Sequence, residues 1–538
     1  MTTIAALLAE KAAERPDAPL FLLPASVQAL WGAKACWSYG EVQAEVARLA
    51  SAFAAAGYGP GHRVALLLEN RPEHFLHWLA LNSLGISAVP LNPDGSAEEF
   101  GYVLGHSGAV LAIALEARAG HVRTAAAPLG LPVIGPGEVP PPAPAAPGGQ
   151  TGEEAEAALV YTSGTTGKPK GCILSNLYFL NWGRWYAAQG GAISLRPWAE
   201  RLMTPLPAFH VNASGHSFMG MLTTGGAQVI VDRFHPRNWW YEAAETGATC
   251  FHYLGVMPAI LLELPEGPED RAHGMRFGLG GGVHPDHHAV FEARYGVPLL
   301  EGWAMTETGG ACVLCAWEEP RVLGSRCIGN PARPGPAMEA RVVDDMGADV
   351  PDGTPGELWV RAAGDDPRRG LFSGYLKNAE ATAEAWAGGW FHTGDVVIRD
   401  AGGRLYFNDR KKNIIRRSGE NIAAIEVEGA VASCAGVAQV AVVAMPEPLR
   451  GEEVLAVIVP KTGQDEAALA QAVFDRCATQ LSYFKVPGVV VFVDSLPTTS
   501  TQKLRRADLG ALAEAPLAAP RSHDLRARKQ GLRARSDQ

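Results

Sequence analysis

The chain has 538 residues, 47% of them hydrophobic and 19% charged, with a formal net charge of −10. Such a length exceeds what one compact core serves, so several subdomains are expected, and the lack of a basic excess argues against a general nucleic-acid binder, which must neutralise phosphates. Nowhere do eighteen apolar residues run together, so no transmembrane segment is predicted. The eight cysteines are scattered, and the N-terminus, MTTIAALLAEKAAERPD, has no cationic lead into an apolar core; both features predict a cytoplasmic protein.

Ser38 to Glu41 is a capping-box pattern, after which Val42, Val46, Leu49 and Phe53 recur at helical spacing until Gly57 stops the run. An apolar strand is predicted over Val64–Leu68, an amphipathic helix around Phe75–Leu84 and another strand near Ala88–Leu91. Alternation of helix and buried strand predicts a doubly wound, mostly parallel α/β sheet. From Gly135 to Gly149 the chain turns to proline, glycine and alanine, which reads as a linker.

The linker leads into a buried strand at Ala157–Val160 and then the string YTSGTTGKPKG, Tyr161 to Gly171. Thr162, Ser163, Thr165 and Thr166 stand among Gly164, Gly167 and Gly171, with Lys168 and Lys170 close by. Hydroxyls and bare amides close on an anion, and glycine lets the main chain approach it without a Cβ, so the stretch reads as a phosphate cradle at a strand end. A solvated Gly/Ser/Thr loop has the same composition, but the two embedded lysines favour the cradle. It is not a Walker P-loop: no glycine lies five positions before Gly167, and Pro169, not Ser or Thr, follows Lys168.

The string resembles the signature of the adenylate-forming superfamily, which comprises acyl-CoA synthetases, peptide-synthetase adenylation domains and luciferases. Five later segments resemble that family's motifs in the same order. His210, in the strand-ending run Leu206-Pro207-Ala208-Phe209-His210, stands where acyl-CoA synthetases place a histidine beside the acyl pocket. Amino-acid-activating relatives keep an aspartate there, so α-amino acids are disfavoured. Gly280-Gly281-Gly282 resembles the turn along the adenine. In Glu301-Gly302-Trp303-Ala304-Met305-Thr306-Glu307 the resemblance puts Trp303 against adenine, Thr306 on phosphate and Glu307 on Mg2+, while Ala304, where glycine is usual, shortens the acyl pocket. Asp395, in Phe391-His392-Thr393-Gly394-Asp395, is implied as the ribose ligand. In the hinge-like run Asp409-Arg410-Lys411-Lys412, Arg410 is implied to reach ribose or phosphate and Lys412 to act as pivot; Ser418, Gly419 and Glu420 fall beside the thiol tunnel.

Past the hinge, strands at Val440–Ala444, Val454–Val459 and Val489–Val493 with a helix at Glu466–Cys477 predict one small α+β domain. It ends at Leu496 to Leu504, where Lys503 takes the place of the family's catalytic lysine and Gln502 replaces the glycine that normally precedes it. The tail from Arg521 is basic and polar, which predicts disorder. The expected organisation is therefore a large N-terminal domain (1–408), a hinge (409–412), a smaller mobile C-terminal domain (413–515) and a tail (516–538).

His284, His287 and His288 suggest a metal, but HPDHH is not a usual zinc spacing and Pro285-Asp286 reads as a helix start. Cys312 and Cys315 read as packed thiols.

The resemblance implies a ligase that uses ATP, Mg2+ and coenzyme A to activate a small carboxylic acid, with PAFHV, RRSGENIAAIEVE and FKVP nearest to carnitine/crotonobetaine-CoA and bacterial medium-chain acyl-CoA ligases. Loading of a carrier protein, or nucleotide binding without turnover because of Gln502, are the alternatives. The sequence leaves a homodimer open.

Overall fold

The computed structural model describes residues 3–162, 169–417, 420–448, 450–498 and 504–536. The chain falls into two compact units: Met1–Ala340 with Trp359–His392 and Gly403–Leu405, and Arg341–Leu358 with Thr393–Gly402 and Tyr406–Gln538.

The first unit is built on two large sheets. Short, almost wholly apolar strands suit a sheet covered on both faces, and Arg63–Leu67, Ser87–Pro90 and Leu111–Ala114 are of that kind. They sit in a seven-stranded sheet ordered Gly374–Tyr375, Lys170–Ser175, Glu156–Thr162, Ser87–Pro90, Arg63–Leu67, Leu111–Ala114, Val133–Ile134. It is parallel except where Lys170–Ser175 runs against its two neighbours. The capping box forms as expected: Ser38 Oγ accepts from Glu41 N, and Glu41 Oε2 accepts from Ser38 N. It opens the helix Tyr39–Ala55, which buries Val42, Val46, Leu49 and Phe53.

The second sheet has eight strands, ordered Leu314–Cys315, Leu299–Trp303, Phe277–Gly281, Cys250–Leu254, Arg201–Thr204, Ala227–Ile230, Pro19–Leu22, Cys36–Ser38. Only its two edge pairings are antiparallel. Four adjacent parallel strands, from Arg201, Cys250, Phe277 and Leu299, therefore release their chains at one edge, the carboxyl end, where open α/β sheets bind ligands.

The second unit holds a six-stranded sheet in which Gly451–Pro460 is central. It pairs with Val437–Glu447 along its whole length and also with Ile414–Arg417 and Val489–Phe492, while Glu420–Ala423 and Ser522–Asp524 lie at the edges. Helices Ala424–Ala432 and Glu466–Gln480 bury Val427, Val431, Leu469, Val473 and Phe474 in one core with Val454 and Ile458.

The basic tail departs from expectation. Instead of lacking structure, it supplies the strand Ser522–Asp524 and the helix Arg526–Ser536. The reason is a buried charge cluster that composition hides. Lys529 Nζ donates to Glu453 Oε1 at 2.5 Å, and Arg417 Nε donates to both oxygens of Glu453 at 3.0 and 2.9 Å. Their exposures are 1%, 2% and 3% for Lys529, Glu453 and Arg417. Two cations share one carboxylate, and burial pushes the Lys529 ammonium down to about 8. Among the described residues no helix is long and apolar enough to cross a membrane.

Removing the shared carboxylate strands two buried cations, so Glu453→Gln should cost about 3–5 kcal/mol in urea unfolding. Lys529→Met leaves a one-to-one pair and should be near neutral. In the native state Lys529 sheds its proton at lower pH than in the unfolded chain. The unfolded chain therefore binds more protons above pH 8, and wild-type stability relative to Lys529→Met should rise from there toward pH 10.5.

Candidate active site

The elements that converge in the first unit are those whose motifs stood out in the sequence. Glu156–Thr162 ends at Thr162, which pairs with Lys170 across the antiparallel return strand. Ser163, Gly164, Thr165, Thr166, Gly167 and Lys168 lie outside the described residues. Both flanks of that stretch are held by tyrosines, Tyr161 from the string itself and Tyr102 from a helix that the sequence did not single out. Tyr102 Oη donates to Pro169 O at 3.0 Å, and Tyr161 Oη bonds His106 Nδ1 at 2.8 Å.

Thr306 and Glu307 leave the end of Leu299–Trp303 and are buried. Tyr178 Oη donates to Thr306 O at 2.8 Å, Phe372 N donates to Glu307 O at 2.9 Å, and Tyr375 Oη donates to Glu307 Oε1 at 2.9 Å. Lys170 stands over the Tyr375 ring at 4.8 Å. One carboxylate is thus oriented by a phenol whose ring also carries Lys170. Tyr375 was illegible in the sequence because a Gly-Tyr pair has no pattern of its own. Trp303, expected against adenine, is a buried strand residue.

His210 ends the loop that follows Arg201–Thr204 and is half-buried. Asn70 holds that loop from a neighbouring segment: its Nδ2 donates to Pro205 O and Leu206 O at 3.3 and 3.1 Å, and its Oδ1 accepts from Ala208 N at 2.7 Å. An asparagine with both ends spent on main chain positions the loop and does no chemistry itself.

The glycine turn is held in a similar way. Gly282 has φ +82°, and a Cβ at Gly255 would lie 1.8 Å from Gly282 O, so these two positions need glycine. Glu301 Oε1 accepts from Gly282 N at 3.2 Å and from Val283 N at 3.1 Å. Burial pushes the Glu301 carboxyl above its usual range, partly offset by His288 and by those two amides. Glu301 was visible as the first residue of the Thr-Glu string, but its task lay on the adjacent strand.

The three histidines after the turn have structural work. His288 Nδ1 accepts from Gly324 N at 3.2 Å, so its Nε2 donates to Leu299 O at 2.8 Å. His284 caps the helix Pro285–Tyr295 through Nδ1, and the His287 ring lies 5.1 Å from it at a tilt of 47°. Cys312 and Cys315 are buried.

In the second unit Asp395 and Arg410 are brought together. Arg410 Nε lies 2.6 Å from Asp395 Oδ1, and the aspartate is 1% exposed whereas the arginine is 45% exposed. Asp409 organises the hinge-like run: Oδ1 accepts from Arg410 N at 2.6 Å and Asn413 Nδ2 at 3.1 Å, and Oδ2 accepts from Ile425 N at 2.9 Å. Lys411 bonds Asp345 and Glu357, each at 3.0 Å. Lys412 is exposed in the turn Lys411–Asn413. Glu420 starts an edge strand opposite Arg417, while Ser418 and Gly419 lie outside the described residues. So do Gln502 and Lys503, in a segment whose flanks pair as Thr498 with Leu504.

With this geometry in view, the chain matches the model of the AMP-binding enzyme family over residues 8–376 and that of the AMP-binding enzyme C-terminal domain over 426–503. It belongs to the AMP-binding enzyme family. It is 32% identical to the sulfoacetate–CoA ligase of Cupriavidus necator, over 94% of this chain and 97% of that one. It is 30% identical to the crotonobetaine/carnitine–CoA ligase of Citrobacter koseri, over 88% and 93%. The ATP-bound structure of MatB from Rhodopseudomonas palustris superposes with a TM-score of 0.78 at 25% identity, over 95% and 99% of the two chains. A benzoate CoA ligase from Burkholderia xenovorans, 22% identical, shares the fold with a TM-score of 0.80.

Glu301 should control nucleotide affinity through the turn it holds. Glu301→Gln keeps an acceptor for both amides and should bind AMP nearly as the wild type does. Glu301→Leu leaves two buried amides unpaired, and calorimetry should show AMP affinity about tenfold weaker or worse, given about 1–3 kcal/mol per unsatisfied group.

Proposed function

We propose that this protein is an AMP-forming acid–thiol ligase that adenylates a carboxylic acid with ATP and passes the acyl group to coenzyme A. The observation that carries the reading is the run of contacts from Thr162 through Lys170 and Tyr375 to Glu307 in one unit, with the Gly280–Gly282 turn held by Glu301 on the strand that leads to Glu307. Relatives named as CoA ligases along nearly the whole chain support it.

The chemistry follows from charge. A carboxylate is a poor electrophile because oxide would have to leave, so one of its oxygens first attacks the α-phosphorus of ATP, breaking the bond to pyrophosphate and leaving an acyl-adenylate. The thiolate of coenzyme A then attacks the carbonyl carbon and AMP departs. Neither step needs a strong base; both need donors and cations where negative charge collects. Thr162 and the hydroxyls of Ser163, Thr165 and Thr166, with Lys168, are assigned to the phosphates. Lys503 is assigned to the oxygens that meet in adenylation. Gly281, Gly282 and Trp303 are assigned to adenine, and Asp395 and Arg410 to the ribose. His210 is assigned to the acid, where its lack of negative charge disfavours an α-ammonium.

Among the described residues no three acidic, histidine or cysteine groups gather as a metal cage. A single buried carboxylate oriented by a phenol, Glu307 with Tyr375, suits Mg2+, which binds through one or two carboxylates and keeps water and phosphate oxygens around it. Bound there, the ion would offset phosphate charge, with Thr306 beside it.

Pyrophosphate release should require both ATP and an acid, and a thioester should appear only when coenzyme A is added. Sulfoacetate and carnitine belong in the first panel because relatives are named for them. Absence of pyrophosphate with every acid would overturn the reading, and a thioester on a carrier protein alone would reassign the acceptor. Lys503→Ala should slow adenylation by two to three decades, from about 3–4 kcal/mol of lost charge stabilisation. Lys412 is assigned the torsional change between the half reactions. Lys412→Pro should therefore depress thioester formation more than pyrophosphate–ATP isotope exchange, and equal losses would remove that role.

A further inference from the structure

Resting on the ligase reading, we infer that Glu428 and Arg506 are positioning residues for Lys503. Their ion pair ties the chain beside the lysine to the helix that the hinge-like run anchors, and adenylation needs that tie whereas thioester formation does not.

All the residues involved belong to the second unit. Both flanks of Lys503 are held. Thr498 and Leu504 form a bridge, Arg505 N donates to Pro497 O at 2.9 Å, and Leu496 and Leu504 pack against one core with Met445, Leu455 and Val491. The two arginines that follow have different fates. Arg505 pairs with Asp508, three residues on, and both side chains are exposed, an arrangement that contributes little. Arg506 reaches 78 residues back along the chain: its Nη2 donates to Glu428 Oε1 at 2.5 Å, with the two side chains 24% and 15% exposed.

Glu428 lies on the helix Ala424–Ala432, whose N-terminus Asp409 holds. Ala423 offers that end no side-chain cap, and Asp409 Oδ2 supplies the acceptor, taking the bond from Ile425 N at 2.9 Å. Ile425 and Glu428 are three positions apart, hence on one face, about 4.5 Å along the axis. The first turn of the helix is therefore clamped, by the hinge-like run at its start and by the flank of Lys503 one turn on. Glu428 Oε1 also accepts from Val442 N at 2.8 Å. Val442 lies on Val437–Glu447, which among the described residues pairs only with Gly451–Pro460. The carboxylate thus caps an outward amide of an edge strand and fixes helix to sheet where Arg506 arrives.

Charge makes the tie specific. Burial pushes the Glu428 carboxyl up and the Asp409 charge acts the same way, while Arg506 and the Val442 amide pull it back. Among the described residues Arg506 is the one cation paired with it. The Arg506 charge is felt in the hinge-like run as well: after burial and Arg410, it helps to push the Lys412 ammonium down. Adenylation assigns Lys503 to the oxygens that meet, and a misplacement of about 1 Å can cost about a hundredfold in rate. The attack of the thiolate assigns it no part.

The test uses the full chain and, as acid, the member of the carboxylate panel that releases most pyrophosphate. Adenylation is read as pyrophosphate–ATP isotope exchange, and thioester formation separately, from the preformed acyl-adenylate of that acid with coenzyme A. Arg506→Met should slow exchange at saturating ATP by about tenfold or more while KM for ATP and the thioester half stay within about twofold. Arg506→Lys, which still brings a cation toward the carboxylate, should recover most of the loss. In a Lys503→Ala background Arg506→Met should cost nothing further, because it acts through that lysine. Equal losses in the two halves, or additive losses with Lys503→Ala, would overturn the inference. If Arg506→Met fails to fold, Glu428→Gln decides, since it keeps an acceptor for Val442 N and removes the charge. A loss of about threefold or more confined to exchange supports the inference, and exchange as fast as in the wild type overturns it. No exchange in the wild type with any acid would remove the ligase reading and the inference together.

Discussion

Two anions must meet for adenylation to occur, and mutual repulsion between carboxylate and triphosphate is the constraint to which the assigned site answers. The answer is distributed over fixed dipoles and few full charges. Main-chain amides and hydroxyls cost no reorganisation when charge moves, and the surrounding side chains hold those elements in register. Asn70 spends its whole amide on the loop before His210, Glu301 spends an oxygen on two turn amides, and Tyr178 and Tyr375 tie down the Thr-Glu segment.

Topology makes this affordable in chain length. Parallel neighbours send consecutive connections to the same edge of a sheet, so residues as far apart in sequence as Thr204, Leu254, Gly281 and Trp303 all end strands of one sheet on one side. The loops can then carry unusual geometry, such as the positive φ of Gly282, because the strands beneath them are rigid.

Most of this architecture was legible in the sequence, for physical reasons that differ by element. The helix from Tyr39 announced itself through a cap and a period, and the strands through short apolar runs. The glycine- and hydroxyl-rich strings were readable because backbone chemistry leaves a local trace. What stayed hidden were contacts across long sequence distances. Tyr375 and Asn70 look ordinary until folding sets them against Glu307 and Pro205. The tail misled for the converse reason: Lys529 reads as one more solvated cation, and only the placement of Glu453 between it and Arg417 makes the helix Arg526–Ser536 part of an interior.

The pairing of Asp395 with Arg410 has a thermodynamic corollary. A deeply sequestered carboxylate already has a cationic companion, held on the side where solvent can reach it. Any hydroxyl donor brought to Asp395 would have to trade places with a guanidinium. On the ribose assignment proposed above, docking of the nucleotide would be a swap of partners in place of the filling of a vacant socket.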